Sequence, residues 1–129
     1  MSRPLPVKGP PVPTATARTL DHPARAQIRL EAVLHALSDP VRLQLVRFLS
    51  GLAEGEEALC SALDLAVTKS TTTHHYRVLR EAGLISQVYR GTAKMTAMRR
   101  ADLDALFPGL LDSVLTADAA QRRRLSSPA

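Results

Sequence analysis

Cysteine is almost missing from this chain: Cys60 is the sole thiol among 129 residues. An intramolecular disulfide is therefore impossible, and nothing speaks for an oxidising compartment. Tryptophan is absent, and aromatics amount to 3%, namely Phe48, Phe107, Tyr76 and Tyr89. That is too few rings for a protein that binds single strands by stacking successive bases. The core must come mostly from Leu, Val and Ala, which suits helices. No apolar run approaches the roughly 20 residues that cross a bilayer. The start, MSRPLPVKGPPVP, has no apolar stretch of a secretory leader. The expected location is the cytoplasm, with no membrane partner.

Charge is present but unevenly spread. The net value is +5. Between Thr68 and Arg100 lie Lys69, Arg77, Arg80, Arg90, Lys94, Arg99 and Arg100, against the single acid Glu81. The stretch before it, Gly51 to Val67, holds Glu54, Glu56, Glu57 and Asp64 with no base. A basic half on an otherwise balanced domain is the footprint expected for a polyanionic partner.

The chain length allows one domain with tails. Residues 1–20 read as a disordered Pro-rich tail, because Pro4, Pro6, Pro10, Pro11 and Pro13 remove backbone donors. A first helix is expected from Pro23 to Leu37, capped by Asp21 or His22. Asp39-Pro40 then caps and opens a second helix, which Gly51 ends. A short third helix is expected over Glu56 to Leu63, with its acids at the positive end of the dipole. The fourth, Lys69 to Ala82, runs from a Thr68 cap to a Gly83 stop. After it, Arg90-Gly91-Thr92 separates two strand-like runs, a hairpin. The final helix starts near Ala101, and Pro108 should kink it or split it in two. The folded domain is placed at 21–116, with a polar basic tail over 117–129.

The fourth helix carries the functional signal. Val78, Leu79 and Ala82 form its inner edge. The opposite face presents Ser70, Thr73, His74 and Arg77, short hydrogen-bonding groups and a cation suited to base edges in a DNA major groove. Lys69, Arg90 and Lys94 suit phosphates. Arg77 fits guanine or a phosphate equally well. His75 falls on the inner face, as a packing residue. Tyr76 is left between covering the domain surface and reaching a phosphate. Arg80 is read as a solvated helix residue, and Arg99 as meeting DNA or an acid.

The segments LHALSDPVRLQLVRFL and KSTTTHHYRVLREAGLI, followed by the hairpin, resemble winged helix-turn-helix repressors of the ArsR/SmtB type. The resemblance covers about His22 to Leu115. The expected fold is mainly α with a small β-hairpin, in the order α-α-α-α-β-β-α. The resemblance implies a homodimer built on the first and last helices, through Leu30, Leu34, Leu103, Phe107, Leu110, Leu111 and Val114. A wide apolar stripe on the last helix of so small a domain points the same way. The resemblance also implies a double-stranded, inverted-repeat operator, repression, and release by an effector.

The effector is not legible. Cysteine pairs of one family metal site are reduced here to Cys60 alone. The last helix has Asp102, Asp104 and Asp112 but no His for another. Neither arrangement supplies the thiolate or imidazole set that such metals require. No cofactor is expected. The alternative is a metal- or redox-responsive repressor with an atypical sensor drawn from His22, His35 and Cys60. Enzyme activity is not expected: adjacent His74 and His75 project about 100° apart, and no phosphate loop is present.

Overall fold

The computed structural model describes residues 17–63 and 65–126. Helices α1 (Leu30–Leu37), α2 (Pro40–Ser50) and α3 (Lys69–Ala82) pack around one core. The joint between α1 and α2 follows from Asp39, whose carboxylate accepts from the N–H groups of Val41 at 2.8 Å and Arg42 at 3.1 Å. Pro40, with no N–H to satisfy, occupies the first turn. Leu45, Val46, Leu79, Leu84 and Ile85 are fully buried between these helices and the strand that follows.

Strands β1 (Ala17–Thr19), β2 (Ala58–Leu59), β3 (Ile85–Arg90) and β4 (Ala93–Met98) form an antiparallel sheet in the order β1-β3-β4-β2. The β3–β4 hairpin turns on Gly91, at φ +65°. Two strands alone are marginal. Here the flanking strands cover both edges, and Arg80 of α3 donates to the buried Gln87 of β3. Helices α4 (Arg100–Leu106) and α5 (Leu110–Ser126) close the chain. Gly109 lies between them at φ +81°, so the Pro108 break yields two helices end to end.

Several expectations are corrected. Glu56 to Leu63 is not a helix. Glu56 folds back to accept from the Ala53 N–H at 2.8 Å, and Ala58 and Leu59 pair with Thr96 and Met95. So short a segment nucleates a helix poorly, while β4 offers it a row of unpaired backbone groups. Arg18 and its neighbours are not tail: β1 pairs with the other edge, Arg18 opposite Tyr89. The rest of that expectation, residues 1–16, lies outside the described residues. The first helix is shorter than expected. One 3-10 turn at Arg25–Gln27 gives way to extended backbone at Ile28, whose side chain enters the core. At the other end, α5 continues past the expected start of the tail. Its Asp118, almost fully buried, accepts from Arg47 of α2 at 2.9 Å and from Arg122 at 3.0 Å.

Candidate nucleic-acid interface

The outward face of α3 is exposed at Lys69, Ser70, Thr73, His74 and Arg77. Its first turn is held by hydroxyls: Thr68 accepts from the Thr71 N–H at 3.2 Å, and Thr72 donates to the Thr68 carbonyl at 3.0 Å. Thr73 donates to the Lys69 carbonyl at 3.1 Å, which leaves its oxygen lone pairs facing outward. Arg77 donates to Nδ1 of His74 at 3.1 Å. That fixes the ring in the tautomer with a proton on Nε2, free to donate. A donor imidazole and a guanidinium thus stand side by side one turn along the helix.

The inner face anchors this surface. His75 is buried, and its Nδ1 accepts from Arg42 at 3.3 Å. Burial lowers the pKa of His75, and the Arg42 charge adds to this against the opposing pull of Asp39. Tyr76 is buried too, which decides between its two sequence readings. Its hydroxyl donates to the Cys60 carbonyl at 2.9 Å, and burial pushes its pKa up to about 12. Arg80 is not merely solvated, since its guanidinium holds the Gln87 side chain. Gln87 in turn donates to Thr96 at 3.2 Å and to the Cys60 thiol at 3.3 Å. This buried polar chain fixes the angle between α3 and the sheet.

On the hairpin the two expected phosphate ligands part company. Lys94 lies 5.9 Å from the Tyr89 ring centroid, with Arg18 of β1 at 4.7 Å from the same ring. Arg90 instead makes a two-pronged pair with Glu57, both contacts at 2.8 Å. Its side chain remains 55% exposed. Arg18 is the cation that sequence reasoning undervalued. The alternation in Thr14-Ala15-Thr16-Ala17-Arg18-Thr19 was a strand signal hidden by the neighbouring prolines.

A helix-turn-helix domain family matches residues 37–88, from the end of α1 into β3. The uncharacterized HTH-type transcriptional regulator YceK of Bacillus subtilis (strain 168) is 31% identical over 101 residues. The match spans 77% of this chain and 94% of that one. The chain belongs to the helix-turn-helix transcriptional regulators.

In this regulator the residues expected at a dimer interface divide into two groups. Leu30 and Leu34 on α1 are 43% and 46% exposed, large apolar side chains left uncovered by their own chain. Phe107, Leu110 and Val114 are half-buried. Leu103 and Leu111 are corrected: both are buried in the chain's own core, beside Val33 and Leu37 of α1 and Leu84, so no partner reaches them. The regulator's sensor candidates are largely occupied. The Nε2 of His22 accepts from the Gln87 N–H at 2.8 Å, and its pKa is lowered, chiefly by burial. Cys60 is half-buried, 3.0 Å from the Thr96 hydroxyl. His35 is exposed on α1. Among the described residues, no three of His, Cys, Asp and Glu cluster as a metal ion would need. Arg99 meets an acid, Asp102, at 2.9 Å and donates to the Pro23 carbonyl. Among the described residues no helix is long and apolar enough to cross a membrane.

Proposed function

We propose that this regulator is a cytoplasmic, sequence-specific binder of double-stranded DNA. It works as a homodimeric repressor of the ArsR/SmtB type, released from an inverted-repeat operator by an effector. The observation that carries this reading is the exposed face of α3. Its donors and cations stand clear of the core, while the other side of the same helix is locked by His75, Tyr76 and Arg80. A rigid helix with a free polar face is what groove reading demands, because contacts to base edges depend on register. Ser70, Thr73, His74 and Arg77 read bases. Lys69 and Lys94, joined by Arg18, hold phosphates.

The exposed Leu30 and Leu34 support pairing of two copies, with Phe107, Leu110 and Val114 completing the patch. Two-fold symmetry would set the two α3 helices about 34 Å apart, one turn of the duplex.

The test is binding to duplex DNA over a salt series. Affinity should fall with a slope near −0.9 for each phosphate neutralised. Arg77→Ala should weaken binding strongly without changing the fold. A flat salt dependence would instead favour a protein-binding module that has no use for the cations.

A further inference from the structure

A groove of about 530 Å³ opens between α3, the loop before it and the hairpin. That volume is within the range of small-molecule sites, roughly 300–1,000 Å³. One wall is apolar, made by Leu63, Leu65 and Val67. The buried Tyr76 lines it as well, with its hydroxyl already given to the Cys60 carbonyl. Two cations line it as well, Lys69 from α3 and Lys94 from β4, and Arg18 lies over the ring of Tyr89, another lining residue. No acidic side chain is among the described lining residues.

We propose that this groove is the regulator's effector site and that it takes a small amphipathic organic anion, an aromatic or aliphatic carboxylate. The apolar body lies against Leu63, Leu65 and Val67, and the carboxylate meets Lys69 and Lys94. A DNA strand would use only the cations, since a phosphodiester has nothing to bury against the leucines. The inference rests on the DNA-binding reading above, because release follows from overlap. Lys69, Thr73 and Lys94 line the groove and are among the residues that the proposed reading sets against DNA. A bound carboxylate engages both lysines, cancels one of their two positive charges and fills the space beside the helix. No metal and no rearrangement of the fold are required.

The experiment uses the full chain and three carboxylates, namely benzoate, 2-naphthoate and octanoate, with neutral 2-naphthamide as the comparison. Binding is followed by amide chemical shifts without DNA. Displacement is then followed by the anisotropy of a labelled random-sequence duplex at low salt. The expected result is saturable binding of at least one carboxylate, with shifts centred on Leu63 to Val67, Tyr76 and Tyr89. Lys94→Gln should weaken it about fivefold, the upper end for one exposed ion pair. Val67→Trp should block it by filling the groove. The bound carboxylate should displace the duplex, and the amide should not. The proposal is overturned if none of the three binds saturably, if the amide binds equally, if shifts centre on Leu30 and Leu34, or if a filled groove leaves the duplex bound. A duplex that never binds, with the carboxylate still in the groove, would sink the DNA reading and keep the site.

Discussion

Arg42 at the start of α2 and His75 on α3 share a buried hydrogen bond, the guanidinium donating to Nδ1 at 3.3 Å. The same guanidinium donates to the carbonyls of Ala36 at 2.7 Å and His35 at 3.3 Å. Three acceptors therefore compensate one buried cation, and the third belongs to the helix that carries the polar face. The arrangement works only while His75 is neutral, because a protonated ring has no lone pair for Arg42.

This sets a pH dependence. The His75 pKa in the folded chain is lowered from 6.5, so the unfolded chain takes up the proton first. Stability is fully present above about pH 6.5 and is lost as pH falls from there toward the depressed folded value. His22, also lowered, contributes in the same direction. Melting temperature measured from pH 8 to pH 5 should decline below pH 6.5, and His75→Gln should flatten part of that decline. Equal slopes for the two proteins would contradict the assignment.

Gly83 ends α3 at φ +90°, and a Cβ there would come within 2.5 Å of Ile28 Cγ1. Gly83→Ala should therefore cost about 2–4 kcal/mol, from left-handed strain and overpacking together. Gly109 has a similar φ of +81° with nothing within 4 Å, so Gly109→Ala should cost only the strain, about 1–2 kcal/mol. Urea unfolding of the two variants separates the terms. Equal losses would mean that the Ile28 contact carries no weight.

Glu57 pairs with the exposed Arg90 through two hydrogen bonds. Glu57→Gln should free that guanidinium and tighten low-salt binding to duplex DNA several-fold, steepening the salt slope by up to about 0.9. Glu54→Gln removes the same charge from an exposed acid and serves as the comparison. If the two variants behave alike, only net charge matters and the pair with Arg90 does not restrain binding.

Leu34 is 46% exposed on α1, so a charge there disturbs little within one chain. Leu34→Glu should halve the mass seen in sedimentation equilibrium and weaken specific DNA binding, while the single-chain fold persists. A wild-type protein that already sediments as a monomer would remove the paired-helix geometry from the account.

Local chemistry explains what was legible. Asp39-Pro40, Thr68, Gly83 and Pro108 each act on the backbone within a few residues, and each element boundary they imply is present. The failures are non-local. Glu56 to Leu63 has a passable helix pattern. Only Ala58 and Leu59 within it become a strand, because β4 lies alongside, and that neighbour is set by residues well over thirty positions later. The partner of β1 is likewise remote, with Arg18 opposite Tyr89. The stripe on the last helices was correct in phase. Phase alone does not say which part the chain covers itself: Leu103 and Leu111 share the stripe with Leu110 and Val114, yet both are buried in the core. The site shows the same division. The face of α3 follows from its period, but the pairing of Arg90 with Glu57 depends on how the loop folds.

The central claim is that two α3 faces read duplex DNA in register. Selection of bound fragments from random-sequence duplex DNA by the purified protein tests it most directly. The account predicts an enriched inverted repeat whose half-sites are centred about 10 base pairs apart, or a multiple of that, and whose enrichment is lost with Arg77→Ala. A pool that emerges from repeated rounds at low salt with no shared sequence would contradict it.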